Sequence, residues 1–280
     1  MSGVLILCAT PIGNLSDMSQ RLIETLRTAD VVFAEDTRRS RILLDAAGAS
    51  VPMRSYFAGN EEARRDELAR RLEGGETVAL VTDAGMPAIS DPGLSAVRVA
   101  IEVGARVTAV PGPSAATMAL ALSGFPSDRF AFEGFLPRKG ADRRRRIEAL
   151  ASEERTVVLF VAPTRLAADL AALAKALEQA REVAVTRELT KLHEEVWRGT
   201  LGEALVEWTD RRARGEFTIV IAGAEPAVPS FEDAVQRARD LIGGGMSKAD
   251  AARRAAEESR VARRPIYEEL LERDDPPTGG

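Results

Sequence analysis

Along most of this chain, short apolar runs rich in β-branched residues alternate with longer stretches whose apolar residues recur at helical spacing. That switching selects the α/β class, because strands covered on both faces read as continuous apolar runs while the helices covering them show one apolar face. Strands are predicted at 4–9, 31–34, 53–56, 77–81 and 107–110, and helices at 20–28, 39–47, 61–73, 94–103 and 114–122. A turn-rich joint at 123–128 then ends a first α/β domain, 1–123.

Beyond it, strands are predicted at 130–135, 156–161, 183–187, 195–200 and 217–222, with helices at 142–151, 166–178 and 202–213. The two strands flanking 187–200 lie too close for a helical crossover, so the second domain, 124–228, is predicted to hold a hairpin and a mixed sheet. A helical extension, 229–280, carries helices at 231–242, 247–259 and 265–272, a Gly243-Gly244-Gly245 stop and a frayed tail from Arg273.

Thirty-eight basic against forty-three acidic residues give a net charge of −5, which excludes a uniformly basic nucleic-acid coat but allows a local basic patch. One cysteine and one histidine exclude an internal disulfide and a Cys/His zinc site, and no metal is expected. The uncharged stretch 107–127 is broken by Pro111, Gly112, Pro113 and Pro126, so it reads as strand, turn and helix rather than a membrane span. The N-terminus has no basic segment before its apolar run, so a cytoplasmic, soluble protein is expected.

Polar and glycine-rich segments follow each of the first five strands, on the rim where α/β proteins bind ligands. The first is Ala9-Thr10-Pro11-Ile12-Gly13-Asn14-Leu15, which lacks both the dinucleotide fingerprint and a Walker lysine and leads towards a helix capped by Ser19. Glu35-Asp36-Thr37-Arg38 and Ser55–Glu61 come next, with Thr37 and Asn60 readable as ordinary helix caps. Asp83-Ala-Gly85-Met86-Pro-Ala-Ile89-Ser-Asp91-Pro92-Gly93 carries more conformational restriction than a simple turn needs and reads as a binding loop, with Asp91 assigned to the N-cap before Pro92. Pro111-Gly112-Pro113-Ser114-Ala115 is a poor nucleophile elbow, since prolines flank it and His193 is the only imidazole.

In the second half, Arg138, Lys139, Arg143, Arg144, Arg145 and Arg146 concentrate six cations around the single acid Asp142. Such a cluster in an acidic chain suggests RNA phosphate contact, against the plainer reading of a solvated helix face. Arg187-Glu188-Leu189-Thr190-Lys191 packs charges at a strand end, and reads equally as a salt-bridged turn.

Taken together, the segments at 9–15, 29–38, 83–93, 111–115, 134–139 and 187–191 resemble the type I small-subunit ribosomal RNA 2′-O-methyltransferases of the tetrapyrrole-methylase superfamily. The resemblance implies two α/β domains with S-adenosylmethionine in the cleft between them, a homodimer, and methylation of a cytidine ribose 2′-hydroxyl in the decoding region of bacterial 16S RNA, free or within the small ribosomal subunit. It implies cofactor contacts from Thr10, Pro11, Gly13, Asp83, Gly85, Met86, Ile89, Ser114 and Ala115. For the chemistry, Asp36 and Glu188 are candidate bases, and Lys191 or Arg38 could orient phosphate or steady a developing alkoxide. Where the family usually reads Tyr-Glu-x-x-His-Arg, this chain has Phe160-Val161-Ala162-Pro163-Thr164-Arg165, which keeps only Arg165 among the polar members. The competing functions are a small-molecule, tetrapyrrole-like methylase in the same cleft and a noncatalytic RNA-binding assembly factor, which would have no need to bind the cofactor.

Overall fold

The computed structural model describes residues 3–211, 213–225 and 230–272. Contacts divide the chain into two compact units, one through residue 224 and one from residue 225 onward.

The first unit holds two five-stranded sheets. Strands β1 (Val4–Cys8), β2 (Val31–Ala34), β3 (Met53–Ser55), β4 (Thr77–Val81) and β5 (Arg106–Val110) form an all-parallel sheet in the order β3-β2-β4-β1-β5. Alternate residues serve opposite faces: Val32 and Ala34 pack with Leu22, Leu26, Leu43 and Leu44 of α1 (Gln20–Thr28) and α2 (Thr37–Ala47). Val31 and Phe33 pack with Leu68, Leu72 and Val99 of α3 (Glu61–Glu73) and α4 (Leu94–Glu102). Because β4, β1 and β5 are neighbours, the loops after them emerge side by side at the carboxyl edge.

Helix α5 (Ala115–Ser123) follows the first sheet in sequence but packs on the second, through Ala116, Ala119 and Leu120 against Val158, Ala184 and Val220. Its sequence, Ala-Ala-Thr-Met-Ala-Leu-Ala-Leu-Ser, has no charged face, so it needs cover on more than one side. The helix thereby ties the two sheets into one unit.

The second sheet runs β6-β7-β10-β8-β9, from β6 (Phe130–Phe135), β7 (Thr156–Val161), β8 (Glu182–Arg187), β9 (Glu195–Thr200) and β10 (Phe217–Ile221). Only β6 and β7 pair in parallel, and β8–β9 is the expected hairpin. Helices α6 (Ala141–Ala151), α7 (Leu166–Ala176) and α8 (Leu201–Asp210) accompany it, with Ile147, Leu150, Leu170, Leu173, Ala204 and Trp208 in its core. Helix α7 stops two residues before the predicted end because Glu178 is left-handed, at φ +73°.

The second unit gathers α9 (Phe231–Gly243), α10 (Lys248–Ser259) and α11 (Arg263–Glu272) around Ala234, Ala238, Ala251, Ala255, Ile266 and Leu270. Ser230 and Ser247 cap the first two, and α11 starts two residues before Pro265, whose missing N–H costs nothing in a first turn. The tail predicted to fray, 273–280, lies outside the described residues. Among the described residues, no helix is long and apolar enough to cross a membrane.

One local assignment is corrected. The helix after the 82–93 loop begins at Leu94 with Gly93 as its N-cap, so Asp91 caps nothing. The chain winds through left-handed positions at Ala88, Ser90 and Gly93, and the Ala88 N–H donates to the Pro92 carbonyl, which makes residues 88–92 a turn rather than a first helical turn.

Candidate active site between the two sheets

A cavity of about 390 Å³ lies between the carboxyl edge of the first sheet and the ends of β7 and β10. The loops after β1 and β4 are locked together by a reciprocal pair, Thr10 N–H to Gly85 O at 2.9 Å and Gly85 N–H to Thr10 O at 3.1 Å. Gly85 sits at φ +80°, a conformation that L side chains rarely adopt, and a Cβ there would stand 3.7 Å from Ile12 of the cavity wall. Ser114 occupies the N-cap of α5 without a side-chain cap, so the first-turn N–H groups of that helix are available to an anion at the cavity's edge.

Acids line the first-sheet side. Asp83 accepts from the Asp36 N–H at 3.2 Å and pairs with Arg39 at 3.0 Å, while its own N–H donates to Glu35 at 3.2 Å. Burial raises the Glu35 carboxyl above its ordinary value, the Asp83 N–H opposing. Asp91 also lines the cavity, and its carboxylate takes no hydrogen bond or ion pair among the described residues. Burial, reinforced by the charges of Glu35 and Asp83, pushes it up to about 6.

Of the expected cofactor contacts, Asp83, Gly85, Met86, Ile89, Ser114 and Ala115 all face this cavity. Thr10 and Pro11 face a smaller one of about 130 Å³ that shares Asp83 and Arg39 with it. Gly13 lies under the side chain of Lys191.

Residues 4–205 match the family described as "Tetrapyrrole (Corrin/Porphyrin) Methylases". The chain is 45% identical over 273 residues, 96% of its length and 98% of the relative's, to "Ribosomal RNA small subunit methyltransferase I" of Synechocystis sp. (strain ATCC 27184 / PCC 6803 / Kazusa). It is 45% identical over 274 residues to the protein of the same name from Mycobacterium tuberculosis (strain ATCC 25618 / H37Rv), covering 97% of this chain and 95% of that one. It belongs to the ribosomal RNA small subunit methyltransferase I family of tetrapyrrole methylases. The crystal structure of diphthine synthase shares the fold, with a TM-score of 0.62 at 17% identity over 79% of this chain and 90% of that one.

In this tetrapyrrole methylase the candidate catalytic residues fall in two places. Asp36, not Thr37, caps α2, accepting from the Arg38 N–H at 2.8 Å and pairing with the Arg38 guanidinium at 3.2 Å. The Arg38 contacts hold the Asp36 carboxyl below the usual carboxylate range, and neither residue lines the main cavity. Asn60, the other expected cap, does stand at the N-cap position of α3, but its side chain turns back to Phe57 and Ser55 rather than bonding the helix's first turn.

Glu188 and Lys191 lie on the second-sheet side, and neither lines the main cavity itself. Lys191 Nζ bonds Glu188 at 2.8 Å and Glu216 at 3.0 Å, and Glu216 belongs to the cavity wall. Burial works against both charges, but the pairing outweighs it, leaving Glu188 below its ordinary value and Lys191 above. His193 is exposed, and no hydrogen bond joins it to Ser114.

The basic run divides in this methylase. Arg143 is half-buried and pairs with buried Asp169 at 2.8 Å, Arg146 binds Glu133 at 2.5 Å, and Arg145 pairs with Asp142. Arg138, Lys139 and Arg144 are exposed, with no ion pair among the described residues. The departures from the family pattern sit on cavity walls, Val161 on the main one and Thr164 on a neighbour. Arg165, the polar member that this chain keeps, bonds the Leu136 and Pro137 carbonyls and Asp169.

Sequence reasoning overlooked Asp91, Arg39, Phe135, Asp169 and Glu216. Asp91 was hidden by a plausible cap, although a Ser-Asp-Pro-Gly turn was the available signal. For Arg39 and Glu216 no local pattern marks the position, because their partners lie 44 and 25 residues away, at Asp83 and Lys191; Asp169 has a local signal in its i,i+4 spacing from Arg165, but its second partner, Arg143, lies 26 residues away.

Proposed function

We propose that this chain transfers a methyl group from S-adenosylmethionine to the 2′-hydroxyl of a cytidine in the decoding region of 16S ribosomal RNA. The observation that carries the reading is the cavity whose wall takes six of the expected cofactor residues from two loops, those after β4 and β5, in a chain 45% identical to small-subunit methyltransferases over nearly its whole length. The wall suits the cofactor: Gly85 leaves the backbone open to close approach, and the uncapped start of α5 suits a carboxylate. When bound, S-adenosylmethionine supplies a methyl on a positively charged sulfur that departs as a neutral thioether.

The chain's own residues then have to place a ribose oxygen, keep water out and accept one proton. Asp36 and Glu188 are each engaged with a cation, which suits them to structure more than to proton transfer. Asp91, unpaired and facing the cavity, is the better proton acceptor, since a base works best with a pKa near the working pH. Lys191, held by Glu188 and Glu216 at the cavity's edge, is placed to steady the developing oxygen charge or an RNA phosphate. Arg138, Lys139 and Arg144 offer the phosphate contacts, which a tetrapyrrole substrate would not need.

The superfamily resemblance carries with it a cytoplasmic homodimer, which sedimentation equilibrium tests. The activity is tested by incubating small subunits lacking the modification with labelled S-adenosylmethionine and mapping the label. Label on a ribose of 16S RNA supports the reading. Cofactor binding without transfer to RNA favours a small-molecule methylase, and no cofactor binding favours an assembly factor.

A further inference from the structure

A second cavity, of about 610 Å³, adjoins the first and shares Phe135, Phe160 and Ala162 with it. Nothing in the cofactor reading uses it. Its lining brings an aromatic pair and a buried carboxylate together with two arginines, Arg138 and Arg165, a set that suits a nucleotide better than a bare phosphate.

The aromatic wall is Phe135, at the end of β6, which is 55% exposed. Its ring leans on Phe160 at 5.6 Å between centroids, and Phe160 is braced edge-on by Phe132 at 5.0 Å. A rigid, exposed aromatic beside a cavity is a stacking surface for an unpaired base, and enzymes that act on one nucleotide of a folded RNA gain by turning that nucleotide out.

The carboxylate is Asp169, whose side chain is 4% exposed although it lines the cavity. Its Oδ1 takes both Arg143 at 2.8 Å and Arg165 at 3.1 Å, and Oδ2 takes no hydrogen bond among the described residues. The same two arginines grip the adjoining backbone: Arg165 donates to the Leu136 and Pro137 carbonyls at 3.2 Å each, and Arg143 to Pro137 at 3.3 Å. Asp169 therefore fixes the chain that carries Phe135 and keeps one acceptor oxygen of its own. A carboxylate oxygen pairs with the exocyclic amine of cytosine and repels the carbonyl that uracil has at that position.

We propose that this second cavity receives the target base, an amine-bearing pyrimidine turned out of the RNA, stacked on Phe135 with its amine towards Asp169. The inference rests on the reading of the chain as a ribose methyltransferase, and adds to it the residues that choose the nucleotide. A base seated there leaves its ribose at the wall shared by the two cavities. Arg138, which lines the cavity and has no ion pair among the described residues, is placed for a flanking phosphate.

The test uses the full chain, small subunits lacking the modification, and subunits reconstituted with uridine at the mapped target. Wild-type protein should methylate the cytidine subunit at least tenfold more efficiently than the uridine one, in line with one base-edge contact. Phe135→Ala removes a ring that is 55% exposed, and its folding is checked by circular dichroism; with S-adenosylmethionine held saturating, at a level set by calorimetry on the variant because Phe135 also borders the cofactor cavity, it should raise KM for the subunit about tenfold or more, and Phe135→Trp should restore it. Asp169→Asn, checked for folding by circular dichroism, should abolish the preference for cytidine. As an independent probe, 5-fluorocytidine 5′-monophosphate should show a bound fluorine resonance with wild type and none with Phe135→Ala. A wild type that methylates the subunit while Phe135→Ala keeps its KM and its fluorine signal overturns this inference alone. A wild type that transfers no methyl overturns the functional reading and this inference with it.

Discussion

The aliphatic chain of Lys191, in the loop after β8, lies across the backbone of Gly13, in the loop after β1, so closely that a Cβ on residue 13 would stand 2.7 Å from Lys191 Cε. The contact joins the rims of the two sheets, and Lys191 Nζ is held at its far end by Glu188 and Glu216. A side chain at position 13 would displace a flexible lysine rather than backbone, so Gly13→Val should fold. Loss of the lysine's ion pairs should cost no more than about 1 kcal/mol. Single-turnover methyl transfer should fall about as far as in Lys191→Met, and the double variant should be no worse than either single one, as expected for residues in contact. Additive defects would show that Gly13 acts on something other than Lys191.

Gly85 holds φ +80° between the Thr10 pair and the cavity. A valine there carries a backbone cost of about 1–2 kcal/mol and projects towards Ile12, at the cofactor end of the proposed site. Gly85→Val should unfold cooperatively at a modestly lower denaturant midpoint and lose measurable S-adenosylmethionine binding in calorimetry. An undiminished affinity would move the cofactor elsewhere.

Two arginines adjacent in sequence should behave differently. Arg144→Ala removes an exposed cation and should leave stability unchanged, while flattening the salt dependence of subunit binding by up to about one slope unit. Arg143→Ala withdraws one of the two partners from buried Asp169 and should destabilise by about 3 kcal/mol in urea unfolding. Equal salt slopes for wild type and Arg144→Ala would make that residue part of an ordinary solvated helix.

The rate should depend on pH through Asp91. With its carboxyl raised to about 6, single-turnover transfer should climb as pH passes through that value, and Asp91→Asn should flatten the limb and lower the plateau a hundredfold or more. Stability moves the opposite way. The folded chain binds this proton more tightly than the unfolded one, so the contribution is full below the unfolded carboxylate pKa and is lost as pH rises through about 6. Asp91→Asn should therefore stabilise the protein above pH 6. His193→Ala, at an exposed position, should change the rate less than threefold, well short of general-base loss. A pH profile that survives in Asp91→Asn and collapses in His193→Ala would reverse the two assignments.

Strand and helix positions were legible in the sequence because burial imposes a period: Val31–Ala34 is covered on both faces and reads as an unbroken apolar run, while Gln20–Thr28 shows one apolar stripe. The loops at Thr10–Gly13, Asp83–Ile89 and Ser114–Ala115 were legible too, since glycine and proline mark backbone geometry within a few residues. What local pattern could not decide was which charges meet. Arg143 and Arg144 are chemically identical neighbours, yet helix α6 turns one onto buried Asp169 and the other to solvent. Asp91 fits a cap by its spacing, but left-handed turns at Ala88 and Ser90 carry it to the cavity, where burial and the carboxylates of Glu35 and Asp83 set its chemistry. The sequence by itself determined the elements and the rim, because those depend on neighbours along the chain. The tertiary structure alone decided the protonation and partners of the polar groups, because desolvation and Coulomb interaction act through space.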